Sequence, residues 1–141
     1  MNRVVLDTNV ALDYLSPRRP CHHDAVELLY YLLESKNCDP AMPNSCIKDA
    51  YFILCRQYHA EAVVRARLDD FRQIISCEPL TEEVMDAAFA SDEPDLEDGI
   101  VRATAELIGA KAIVTRDASA YKGSNVPAMT AREYLMRFAV D

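Results

Sequence analysis

Residues 4–10 read VVLDTNV and residues 112–117 read AIVTRD. Each begins as an unbroken apolar run and ends on polar residues that include an aspartate. A strand covered on only one face alternates apolar and polar residues, whereas a continuous run is what a strand buried on both faces needs. A carboxylate closing such a run is costly unless something compensates for it. Asp7 therefore either caps the segment that follows or holds a cation or performs chemistry at the strand's end.

Working outward, the pattern alternates between strands and helices. A strand over Arg3–Leu6 precedes a short helix over Thr8–Leu15, which stops at Ser16-Pro17 before the loop PRRP (17–20). An apolar stripe (Ala25, Val26, Leu28, Leu29, Leu32, Leu33) marks a helix from about His23 to Ser35. A short strand is expected near Ala41. A helix capped by Asn44 or Ser45 should run to Tyr58, and a further helix should cover Ala60–Ile74. The segment ISCEPL has strand character, and Thr81 is placed to cap a helix over Glu82–Ala90. The acidic loop SDEPD leads into a helix from Leu96 to Ile108, ended by Gly109. A strand over Ala112–Thr115, a short one over Val126–Met129 and a helix over Ala131–Phe138 complete the chain. Apolar strands separated by helices predict an α/β fold, a three-layer α/β/α sandwich around a short parallel sheet. In such sheets ligands bind outside the carboxyl ends of the strands, the edge to which both motifs deliver an aspartate.

The chain has 141 residues, is half hydrophobic and 27% charged, and reads as one globular domain spanning 1–141. No stretch has the apolar length to cross a bilayer, and Asn2 and Arg3 lead straight into a strand pattern rather than a secretory leader. The five cysteines lack paired short spacings and read as small core residues in a reducing, cytoplasmic setting. Three glycines leave no phosphate-binding glycine loop. The net charge of −8 argues against nucleic-acid binding unless several acids surround a cation that reverses the local field.

Two further acids stand out. Asp49 lies in CIKDAYFILC (46–55), whose following residues are apolar nearly all round, as in a buried helix. Asp98 opens the helix of DLEDGIVRATA (95–105) and aligns with Val101, Ala105 and Ile108, an inward-facing stripe. Asp95 aligns instead with Arg102 and Glu106 and is placed to cap the helix. Glu97 falls between the stripes. Taken singly, each acid has an ordinary reading as a cap, a turn residue or a solvated surface charge. Together, Asp7, Asp49, Asp98 and Asp117 suit a hard cation that takes oxygen ligands, Mg²⁺ or Mn²⁺. His22, His23 and His59 read as incidental, and Tyr30, Tyr31, Tyr51 and Tyr58 as packing residues. Arg18, Arg19, Arg116 and Lys122 are candidates for phosphate contacts.

VVLDTNV, the mid-chain acid, EDGIVRATA and AIVTRDASAY, in this order, resemble the PIN domain, especially the small stand-alone VapC-type toxins. That resemblance implies a metal-dependent ribonuclease acting through Asp7, Asp49, Asp98 and Asp117, with Thr8, Asn9 and Thr115 as polar support. Many relatives carry Glu at the middle position, so the shorter Asp49 reaches the metal either directly or through a water. The resemblance further implies an RNA substrate, a homodimer and a cognate antitoxin that blocks the acidic pocket. Two other readings compete. A catalytically silent PIN-like module would bind RNA or serve assembly. A haloacid-dehalogenase-type phosphatase wants a second Asp where Asn9 stands and a Thr where Ala11 stands.

Overall fold

The structure, a computed structural model, describes residues 1–139. In chain order the elements are β1 (Asn2–Leu6), α1 (Thr8–Leu15), α2 (His22–Glu34), β2 (Cys38–Pro43), α3 (Asn44–Tyr58), α4 (Glu61–Ile74), β3 (Ser76–Glu78), α5 (Glu82–Ala90), α6 (Leu96–Leu107), β4 (Ala112–Val114), a 3₁₀ turn (Ala118–Tyr121), β5 (Ala128–Met129) and α7 (Ala131–Phe138). The five strands form one parallel sheet in the order β3-β2-β1-β4-β5.

That order places the site. From β1 the chain builds outward through β2 to β3, then returns to the other side of β1 for β4 and β5. The direction of winding reverses between β1 and β4, where the connections leave in opposite directions and open a crevice at the carboxyl edge. Leu6 pairs with Val114, and the next N–H, that of Asp7, still donates to Val114 O at 3.0 Å. Asp7 and Thr115 therefore leave adjacent strands side by side at the reversal.

Consecutive residues of the two central strands are fully buried: Val4, Val5 and Leu6 in β1, and Ala112, Ile113 and Val114 in β4. Consecutive burial means that both faces are covered, as the unbroken apolar runs require. Each large aliphatic side chain so buried contributes about 1.5–3 kcal/mol. Helix α6 lies against β1, β2 and β4 with α5 packed onto it, while α2 joins α1, α7 and β2. Gly99 permits the α5–α6 approach, since a Cβ there would sit 3.2 Å from Ala88 O. Gly109, at φ +66°, ends α6 in the left-handed conformation that glycine adopts without strain.

Several local expectations need correction. Helix α3 has Pro43 at its N-cap position and no side-chain cap, so neither Asn44 nor Ser45 performs that function. Nor is α3 buried all round: Cys46, Ala50 and Leu54 face inward, whereas Phe52 and Ile53 are exposed. Tyr30 is also exposed, and Tyr51 and Tyr58 bond to Glu61 and Ser16. All five cysteines are free thiols. Among the described residues no helix is long and apolar enough to cross a membrane.

Candidate active site

Asp7 is both a cap and a cleft residue. As the first residue beyond β1 it adopts an extended conformation, and its Oδ1 accepts the Thr8 N–H at 2.7 Å, capping α1. Its other oxygen, Oδ2, accepts the Thr115 hydroxyl at 2.9 Å and the Tyr121 hydroxyl at 2.8 Å. The cost of burying this carboxylate is offset by three donors.

Thr115 links the two strand ends. Fully buried, it donates to Asp7 while its Oγ1 accepts the Asp117 N–H at 3.1 Å and the Asn9 side-chain N–H at 3.3 Å. Asn9 Oδ1 in turn accepts the Arg116 N–H at 3.0 Å. The TRD turn is thereby tied to the first turn of α1, and Asp117 is held beside Asp7. Asp117 is exposed and accepts the Ser119 hydroxyl at 2.7 Å.

Helix α6 brings the next acids. Asp95 caps it by accepting the Glu97 N–H at 2.8 Å. Asp98 faces inward, and the Tyr121 hydroxyl lies 3.3 Å from its Oδ1. The Asp98 carboxyl is pushed up to about 6, chiefly by burial and then by the charges of Asp7 and Asp95, with Tyr121 acting in the opposite sense. Glu97 is also raised, chiefly by the charge of Asp49. Asp49 on α3 and Glu97 on α6 thus face each other across the cleft. Asp49 itself lies 3.4 Å from Lys48 Nζ.

All four predicted acids, with Asp95 and Glu97, line one open cleft of about 500 Å³ whose walls also include Thr8, Asn9, Ser45, Cys46 and Lys48. Six carboxylates therefore face a single ammonium. Burial pushes the Cys46 thiol up to about 12, so it stays neutral near pH 7 and the donors on offer are hard oxygens. Among the described residues no three acidic, histidine or cysteine side chains already form a closed ligand cage. Asp7, Asp49, Asp95 and Asp117 are instead turned toward local donors. The donor set suits Mg²⁺ or Mn²⁺, which retain several waters and need only a few carboxylates.

Of the four candidate phosphate contacts, none lines this cleft. Arg116 pairs with buried Asp13 at 2.9 Å, and Arg19 lies 3.9 Å from the same carboxylate. Arg18 stacks over Tyr58 at 4.9 Å, and Lys122 is exposed. The cation on the cleft wall is Lys48, which sequence reasoning passed over. It also borders a roomier hollow of about 670 Å³ between α3 and α4, where Glu61 and Asp69 pair with Arg65 and Arg72. The acids lining that hollow, Glu61 and Asp69, are both paired, whereas the acidic cleft gathers six carboxylates around one cation, Lys48. Tyr121 was missed as well, and Glu97 was set aside as the weakest of the acids around residue 98. Tyr121 gives no periodic signal in ASAY, and Glu97 lies off the inward stripe although its longer side chain reaches the cleft.

A family model described as the PIN domain matches residues 3–119. No curated protein matches the chain. FitAcB from Neisseria gonorrhoeae superposes with a TM-score of 0.73 at 20% identity, over 92% of this chain and 98% of that one. A toxin–antitoxin complex from Klebsiella pneumoniae gives 0.67 at 20% identity, over 91% and 97%. Mycobacterium tuberculosis VapC20, described as a sarcin-ricin loop cleaving toxin, gives 0.64 at 18% identity, over 78% and 86%. At these identities the likeness shows a shared fold.

Proposed function

The chain belongs to the PIN-domain family, and from that premise we propose that it is a divalent-metal-dependent endoribonuclease, the toxin of a toxin–antitoxin pair, with residues 1–141 as its single nuclease domain. The observation that carries the reading is the meeting of Asp7, Asp49, Asp98 and Asp117 in one cleft at the winding reversal of the sheet.

On this reading Asp7, Asp98 and Asp117 would hold the ion, and Asp49 would reach it directly or through a water. Bound Mg²⁺ or Mn²⁺ supplies a Lewis acid that acidifies water and neutralises charge developing on the phosphoryl oxygens. Thr8, Asn9 and Thr115 support the ligands, and Thr115 keeps Asp7 and Asp117 in register through hydrogen bonds to both. The Asp98 carboxyl, pushed up to about 6 in the metal-free cleft, would fall once a cation is held there and meet it as a carboxylate. Lys48 can meet a phosphate at the cleft wall, with Lys122 and Arg18 available to RNA leaving it. Arg19 and Arg116 are engaged by Asp13 and serve first to hold the fold.

The Klebsiella neighbour is a toxin–antitoxin complex, and the Mycobacterium neighbour a toxin that cleaves the sarcin-ricin loop. By analogy, this chain acts on RNA, pairs with an antitoxin whose basic side chain enters the acidic cleft, forms a homodimer and works in the cytoplasm. The test is RNA cleavage by the purified protein. Cleavage should require Mg²⁺ or Mn²⁺, stop with EDTA and be lost in a folded Asp7→Asn variant. Equal cleavage by wild type and Asp7→Asn, with contaminating nuclease excluded, defeats the proposal.

A further inference from the structure

Tyr121 is 3% exposed, and its ring belongs to the main hydrophobic core. A phenylalanine would fill that space equally well, so packing does not explain the hydroxyl. Its hydrogen-bond partners among the described residues are two carboxylates on different elements: Asp7 Oδ2 after β1, at 2.8 Å, and Asp98 Oδ1 on α6, at 3.3 Å. A phenol has one proton to give, so it donates at the shorter distance to Asp7 and stays in contact with Asp98.

Backbone bonds fix where the hydroxyl sits. The 3₁₀ turn begins directly after Asp117, with the Ala120 N–H donating to Asp117 O at 3.2 Å, and the Ser124 N–H donates to Tyr121 O at 3.0 Å. One short turn thus presents Asp117 to the cleft at its start and the phenol between Asp7 and Asp98 at its end. Without the hydroxyl, Asp7 would keep its bonds to Thr8 and Thr115, but nothing would bridge it to Asp98, and a cation would have to order Asp98 as it bound.

We infer that the Tyr121 hydroxyl is a positioning group that sets the separation of Asp7 and Asp98 for a divalent cation, an inference that rests on the reading of this cleft as a metal site. Removing groups that orient metal ligands typically weakens metal affinity by about 10–100-fold.

The test compares Mn²⁺ binding by isothermal titration calorimetry in wild type, Tyr121→Phe and Tyr134→Phe. Tyr134 is an equally buried tyrosine whose hydroxyl has no hydrogen-bond partner among the described residues and lies outside the cleft lining. Tyr121→Phe should raise the Mn²⁺ dissociation constant about tenfold or more. The Mn²⁺ concentration giving half-maximal RNA cleavage should move in parallel. Tyr134→Phe should leave both unchanged, whereas a purely structural role for buried phenols would make the two variants behave alike. A folded Tyr121→Phe with wild-type Mn²⁺ affinity overturns the inference and leaves the metal site standing. A wild type that binds neither ion overturns both. Should Tyr121→Phe fail to fold, Mg²⁺ titration of wild type labelled with ¹³C at tyrosine Cζ decides. A metal-induced shift of a tyrosine resonance supports the positioning role, and seven unmoved tyrosines overturn it.

Discussion

Metal-free wild type should lose stability between pH 4 and 7 relative to Asp98→Asn. The Asp98 carboxyl moves from 3.8 to about 6 on folding, first through burial and then through its acidic neighbours. Between those values the folded chain keeps a proton that the unfolded chain has released, so stability falls as pH rises and levels off above about pH 6.5. At full weight the shift corresponds to about 3 kcal/mol. Asp98 is only half-buried and water screens its neighbours, which reduces the expected loss to about 1–2 kcal/mol. For a domain of this size that is a fall of about 3–8 °C in Tm. Asn has nearly the same shape and no proton to release, so the assay is the difference between the two melting curves across pH in EDTA. Glu97 and Asp13 are raised too, by the Asp49 charge and by burial respectively, but they are present in both proteins and largely cancel. Mn²⁺ at a hundred times its dissociation constant should add about 2.7 kcal/mol to wild type at pH 7.5, and less at pH 5.5 where protons compete. Parallel wild-type and Asp98→Asn curves in EDTA would mean that Asp98 takes up no extra proton on folding, contrary to this prediction.

Three further predictions concern neighbouring groups. Asp98→Asn should lose RNA cleavage and metal-induced stabilisation together, whereas Asp95→Asn should keep most of both, because Asn can accept the Glu97 N–H that Asp95 caps; cleavage assays and melts of the pair check this. Thr115→Val removes the buried hydroxyl shared by Asp7, Asn9 and Asp117, and should cost about 1–3 kcal/mol in urea unfolding as well as lowering cleavage. Arg116→Ala removes the nearer of the two arginines beside the buried Asp13 carboxylate, leaving Arg19 at 3.9 Å, and should cost about 1–3 kcal/mol at pH 7. Burial has already raised the Asp13 carboxyl, so that cost should shrink as the pH is lowered and the group protonates, which urea titrations at pH 4.5 and 7 would show.

The fold was legible because its two central strands are buried on both faces, a state only an unbroken apolar run can satisfy. Val4–Leu6 and Ala112–Val114 are such runs, and the polar residues that end them mark the carboxyl edge of the sheet. Asp98 was legible through its helical stripe, which the structure places inward beside Val101 and Ala105. Less was legible where tertiary reach decides. Glu97 lies on no inward stripe, yet its length brings it close enough to Asp49 for the two charges to interact. The bond from Tyr121 to Asp7 spans 114 residues, and no local pattern announces it. The apolar composition of residues 50–55 suggested a buried helix, but Phe52 and Ile53 face outward. Composition gives the amount of apolar surface, whereas the packing of neighbours decides how much of it is covered.

The most direct test of the central claim is to locate Mn²⁺ by anomalous diffraction in crystals of the wild-type protein. A peak is expected in the cleft between β1 and α6, with carboxylate oxygens of Asp7 and Asp98 as ligands and Asp117 and Asp49 reaching it directly or through water. A peak outside that cleft, or none at saturating Mn²⁺, would contradict that claim.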